Sequence, residues 1–94
     1  MIRRKKWEKH EKEKIWNNYT KKMNSSFKGL SEFWTLNVQA PCPWCCLPMI
    51  KGAYQGEQPT SAFVWNIDHI DGNSSNNNWQ NLQPMHVECN IKKD

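Results

Sequence analysis

The chain has 94 residues with a net charge of +4, four cysteines, six tryptophans and a mean hydropathy of -0.93. A polar chain this short makes one domain with a thin core, which needs a metal, disulfides or a partner to hold it together. No run approaches the roughly 18 apolar residues of a membrane span, and Arg3, Arg4, Lys5 and Lys6 lead into Trp7-Glu8 rather than an apolar signal region, so membrane and secretory classes are excluded on this reading.

The net charge conceals a split. Residues 1–30 hold ten Lys/Arg against three Glu, giving +7, whereas residues 31–94 hold three Lys against six acids, giving -3. A basic segment of this kind meets phosphates, with release of their counterions, or else is a solvated helix face carrying pairs such as Glu8 with Lys12. From Arg3 to about Met23 there is no Gly or Pro, and Trp7, Ile15, Tyr19 and Met23 recur at multiples of four with Trp16 alongside. That spacing predicts a long basic helix with a narrow apolar stripe. Asn24, Ser25 and Ser26 should break it, and Phe27, Leu30, Phe33 and Trp34 suggest a short second helix capped by Ser31. The tryptophans are read as core packing, with base stacking as the functional alternative.

Cys42-Pro43-Trp44-Cys45 reads as a tight turn with a sulfur at each end. A loop rich in Gly, Gln and Pro follows from Lys51 to Ser61, then a β-branched and aromatic strand from Ala62 to Ile70. The strand ends at the turn residues Asp71-Gly72-Asn73, and Ser74 to Asn78 forms a polar loop in which Asn76, Asn77 and Asn78 are ordinary turn residues. Trp79 to Pro84 is expected as a return strand, and Val87 to Asp94 as a helix with Lys92 and Lys93 at its basic end. The domain reading is a basic helical segment over 1–38 and a metal-braced unit over 39–94, in one compact whole.

Tetrahedral zinc takes thiolate and imidazole ligands, commonly in pairs two residues apart. Cys42-x-x-Cys45 and His86-x-x-Cys89 are two such pairs. Crowded cysteines of this kind suit metal ligation in a reducing compartment rather than a disulfide framework. Cys46 could replace Cys45 as ligand, although the two-residue spacing favours Cys45 and leaves Cys46 a free thiol. His10 has no partner at ligand spacing and reads as a solvated face residue.

The order Cys-Pro-Trp-Cys, then Asp68-His69-Ile70, then Asn81-Leu82-Gln83, then His86-Val-Glu-Cys-Asn-Ile-Lys-Lys resembles the HNH, or ββα-metal, endonucleases in their zinc-braced, phage-type form. The resemblance covers residues 42–94. It implies an α+β fold in which a β-hairpin and a C-terminal helix surround a Cys3His zinc formed by Cys42, Cys45, His86 and Cys89. It also implies a DNA endonuclease in which His69 is the general base, imidazole being suited to proton exchange near neutral pH. In the same terms Asp68 and Asn90 would hold a catalytic Mg2+ or Mn2+, and Asn81 would tie the loop between the strands and so aim the base. The commonest family pattern ends in Cys-His; Cys89-Asn90 is similar instead to the junction-resolving members, which have Asn there. Adjacent strand residues face opposite ways, so Asp68 and His69 reach one site only if the strand twists or ends between them. Asp71 reads as a turn residue, and Lys92 and Lys93 as phosphate contacts. The implied partners are DNA and other phage DNA-processing proteins, with no membrane, in the cytoplasm of a bacterial or phage-infected cell. Oligomeric state is not fixed by the sequence. A zinc-braced DNA-binding module without catalysis is the rival from another class, and a Trp-rich protein-docking module is the third.

Overall fold

The computed structural model describes residues 7–26, 34–54 and 63–93. Helix α1 spans Lys9–Ser26. It starts at Lys9 because the Glu8 carbonyl takes the N–H groups of Glu11 and Lys12, while Glu11 Oε1 reaches back to the Glu8 N–H at 3.0 Å. An acid three residues in thereby satisfies a donor that a helix start leaves without a partner. Residues 3–6, where a still earlier start was expected, lie outside the described residues. At the other end the helix runs through Asn24, Ser25 and Ser26 rather than breaking there. Ser25 Oγ donates to the Lys21 carbonyl at 3.1 Å, which lets a serine sit inside a helix. The expected second helix falls on residues 27–33, outside the described residues; Trp34 is irregular, and 36–38 form a turn.

Two small antiparallel sheets complete an α+β fold. Strands β1 (Gln39–Pro41) and β2 (Pro48–Ile50) pair with Ala40 opposite Met49 and Pro41 opposite Pro48. Strands β3 (Trp65–His69) and β4 (Leu82–His86) pair with Trp65 opposite His86 and His69 opposite Leu82. The β1–β2 hairpin was not expected, since two three-residue strands each carrying a proline give no alternating pattern to read. β3 and β4 are the expected strands with shifted ends: a 3-10 turn over Trp79–Asn81, with Asn78 accepting from the Gln80 N–H, delays β4 to Leu82. Helix α2 (Val87–Lys93) follows β4 without an intervening residue. Among the described residues no helix is long and apolar enough to cross a membrane.

The core lies between α1 and the two sheets. Its centre is Trp16, fully buried, with its ring 5.2 Å from that of Trp65. Ile15, Tyr19, Ala40, Met49, Ile67, Leu82 and Met85 close around them. Each buried aromatic finds a partner for its polar atom, as burial demands. Trp16 Nε1 donates to the Leu36 carbonyl at 2.8 Å, Trp65 Nε1 to the Lys51 carbonyl at 3.0 Å, and the Tyr19 hydroxyl to the Pro41 carbonyl. The apolar stripe of α1 is therefore core, as its spacing predicted, whereas Trp44 is exposed. Replacing Trp16 with Ala should cost about 3 to 5 kcal/mol, enough to unfold much of a domain this small; urea denaturation followed by circular dichroism measures it.

Candidate functional site

The knuckle between β1 and β2 presents the first two sulfurs. The Cys42 N–H donates to the Leu47 carbonyl and the Cys46 N–H to the Cys42 carbonyl, both at 2.9 Å, and the Trp44 N–H points at Cys42 Sγ from 3.4 Å. To close so tightly, the backbone at Cys46 turns left-handed, φ +66°. That conformation favours glycine, and a β-branched side chain there would be strained. The second pair comes from the junction of β4 and α2, where His86 ends the strand and Cys89 lies in the first turn of the helix.

The ligand atoms of Cys42, Cys45, His86 and Cys89 all lie within 4.8 Å of one another, so the cluster could hold a metal ion. The edges of a tetrahedron built on Zn–S bonds of about 2.3 Å are about 3.8 Å. Cys45 Sγ and Cys89 Sγ stand 3.2 and 4.0 Å from His86 Nδ1, values consistent with zinc. His86 Nε2 is 2.7 Å from the Pro48 carbonyl. A carbonyl only accepts, so Nε2 carries the proton and Nδ1 turns its lone pair to the sulfurs, the tautomer a ligand needs. Burial pushes the Cys45 thiol up, yet hydrogen bonding with the Leu47 backbone, His86, Cys89 and Cys42 brings it down to about 7. Burial, with the bond to Cys45 next, pushes Cys89 up to about 12. Clustered thiols resist ionising together, so metal binding here releases protons. Cys46 is exposed and outside the cluster, as expected of the free thiol.

The other residues singled out in the sequence sit along β3 and the loop after it. β3 alternates as a strand must. Trp65 and His69 meet the rings of Trp16 and Trp7 on one face, while Asn66 and Asp68 meet α2 on the other. Asp68 and His69 thus leave the strand in different directions at its end, and no hydrogen bond or ion pair joins their side chains among the described residues. His69 Nε2 is 2.8 Å from Asn77 Oδ1. With the carboxamide oxygen as partner, Nε2 holds the proton and Nδ1 presents its lone pair. Asn77, expected to be only a turn residue, is therefore the orienting partner of His69.

Asn81 does tie the loop together. Its Oδ1 accepts from the Asp71 N–H at 3.0 Å, and its Nδ2 donates to Asp71 Oδ1 at 3.0 Å and to the Asn76 carbonyl at 2.9 Å. Asp71 also accepts from Asn76 Nδ2 and from the Asn73 N–H, which makes it the hub of the loop and more than a turn former. The sequence signal was the run of asparagines around one acid.

Asp68 is 2% exposed and carries two partners: Gln83 Nε2 at 2.9 Å, and Lys93 Nζ at 3.0 and 2.9 Å from its two oxygens. Asn90 is buried too, its Nδ2 donating to Asn66 Oδ1 at 2.9 Å and to the Ile67 carbonyl at 3.4 Å. Asp68 and Asn90 thus share the layer between β3 and α2. Lys92 is exposed, but Lys93, expected to reach outward to phosphates, turns inward to Asp68 because a buried carboxylate requires a partner. His10 is exposed and lies 3.3 Å from Glu8 on the helix face.

Comparison with protein-family models, with curated proteins and with solved structures gave no match, so any functional reading rests on the residues themselves.

Two outcomes test this geometry. Metal analysis of protein purified without added zinc should find one Zn2+ per chain; Cys42→Ser or Cys89→Ser should lose it and Cys46→Ser should not, and chelation should collapse the circular dichroism spectrum. Asp71 titrates well below an ordinary carboxylate, at about 2, because Asn76 donates to it, followed by the Asn73 N–H and the Asn81 amide. A depressed folded pKa stabilises above the unfolded value near 3.9 and ceases to do so as pH falls through the folded one. The Asn76 and Asn81 side-chain amide resonances should therefore hold their positions in mild acid and move only as pH approaches about 2.

Proposed function

We propose that the chain is a metal-dependent DNA endonuclease of the HNH, or ββα-metal, type. The observation that carries this reading is the β3–β4 hairpin continued directly into α2 and seated on a Cys3His cluster, with His69 at the end of β3 and Nε2 engaged by Asn77. In this reading Nδ1 of His69 takes the proton of the attacking water, and Asn77 and Asn81 hold the imidazole and its loop in aim. Asp68 and Asn90 lie on the α2 side of β3 while His69 lies on the other, and their oxygens, which are hard donors, would hold Mg2+ or Mn2+. Such an ion would supply positive charge to the scissile phosphate and the leaving 3' oxygen, and attack that breaks the P–O3' bond would leave 5'-phosphate and 3'-hydroxyl ends. The lysines of α1 and Lys92 would meet backbone phosphates, which makes DNA the partner and gives binding a steep dependence on salt.

One observation favours a second reading. Asp68 is buried and neutralised by Lys93, an arrangement that also suits a zinc-braced DNA-binding module without catalysis. Supercoiled plasmid separates the two: with Mg2+ or Mn2+ the nuclease yields nicked or linear product that EDTA abolishes, and the binding module retards the plasmid without cutting it. His69→Ala should lower nicking on the order of 10²-fold or more while zinc content and DNA affinity stay at wild-type level. Wild-type rates in His69→Ala, or a defect that tracks lost zinc, would remove the nuclease assignment.

A further inference from the structure

Lys93 Nζ makes more contacts than an ion pair needs. Besides Asp68 Oδ1 and Oδ2 at 3.0 and 2.9 Å, it lies 3.0 Å from the carbonyl of His69 and 3.2 Å from that of Ile70. An ammonium has three N–H bonds, so four oxygens around one nitrogen form a nest selected by charge rather than a set of matched pairs. A carboxylate offering both oxygens, together with two consecutive backbone carbonyls, is the donor set that hard divalent cations take from proteins. The position is also shielded: the Asp68 side chain is 3% exposed and that of Lys93 21%, with Gln83 fixing Oδ2 from the β4 side. The Lys93 stem comes from the last turn of α2, the end of the helix freest to release it.

We propose that Lys93 is the resident counter-cation of a divalent-cation nest built from Asp68 and the carbonyls of His69 and Ile70, and that a cation enters only by displacing it. This rests on the reading of Asp68 as a cation ligand and adds to it a positioning residue that sets metal affinity. A buried carboxylate without a partner is costly. Lys93 removes that cost while no divalent ion is bound, and for the same reason it weakens binding of the ion. The four oxygens stand 2.9 to 3.2 Å from the nitrogen, farther than divalent cations hold oxygen, so the nest must close inward when a smaller ion replaces it. Ca2+–O distances of about 2.3 to 2.6 Å ask less contraction than the about 2.1 Å of Mg2+.

The experiment uses the zinc-loaded full chain and Mn2+ as probe, with free Mn2+ read by electron paramagnetic resonance. Lys93→Met keeps the length of the side chain without its charge and should bind Mn2+ at least about tenfold more tightly than wild type, and Asp68→Asn in that background should abolish the gain. In the wild-type protein the Lys93 side-chain NMR signals should move on saturation with Ca2+ or Mg2+ while those of Lys92 stay. Unchanged Mn2+ affinity in a Lys93→Met protein with full zinc content would overturn the proposal, as would Lys93 signals unmoved by saturating metal. Should Lys93→Met fail to retain zinc, the wild-type NMR titration alone decides. Tighter Mn2+ in Lys93→Met with no nicking by any variant would sink the nuclease reading and leave the nest standing. Nicking by wild type with Mn2+ affinity indifferent to Lys93→Met would do the reverse.

Discussion

The constraint that organises the described structure is the meeting of two distant stretches of chain, where Cys42 and Cys45 come together with His86 and Cys89 in a cluster that could hold a metal ion. On one side stands a hairpin of two three-residue strands, too short to persist alone. On the other stands a seven-residue helix, too short to form alone in water. Neither is stable by its own hydrogen bonds, and a metal held by the two residue pairs would tie each to the other. The carbonyl of Pro48 reinforces the link by fixing the His86 tautomer, so even the second strand of the knuckle takes part in presenting the ligand from the far side.

The aromatic core does the complementary work. Trp16 on α1 and Trp65 on β3 are both fully buried and stacked at a tilt, and their indole nitrogens are spent on carbonyls of the segments that flank the β1–β2 hairpin. α1 is thus built into the same core as the metal-binding elements, with Tyr19 donating to Pro41 one residue before Cys42. Its lysines stay on the outer face, where Lys12 lies over the ring of Tyr54 and Lys14 over that of Trp79. Basic charge and packing are two faces of one helix, which is why composition alone left its role open.

What could be read from the sequence was what depends on local spacing. Two ligand pairs at fixed intervals, a β-branched run ending in Asp71-Gly72, and a terminal helix closing on two lysines are one-dimensional signals, and the cluster, β3 and α2 follow them. Asn81 stood out by its place before Leu82, and its hydrogen bonds bind the loop as expected. What could not be read depends on which side chains a three-dimensional arrangement makes neighbours. Nothing in Lys92-Lys93 says that one of two adjacent lysines turns inward, since that choice follows from the helical phase of α2 over Asp68. Nothing distinguishes Asn77 from Asn76 and Asn78 until the loop folds back over His69. α1 continues through Asn24 and Ser25 to Ser26 because Ser25 bonds its hydroxyl to the helix backbone, an option composition does not reveal.

The absence of any residue between β4 and α2 has a mechanical consequence. His86 is the last residue of the strand and Cys89 lies in the first turn of the helix, so a metal held by the cluster would clamp the helix at its root, as a keyed shaft is clamped in a hub. From that root Asn90 and Lys93 project at angles set by the helical repeat of about 100 degrees per residue. A slack or altered ligand set would let the shaft turn, and a turn of a few tens of degrees would carry Lys93 Nζ away from Asp68 and the end of β3 together. The Cys3His cluster and the polar layer over β3 are therefore coupled by rotation rather than by contact, the cluster serving as the index from which the angular position of every side chain on the helix is measured.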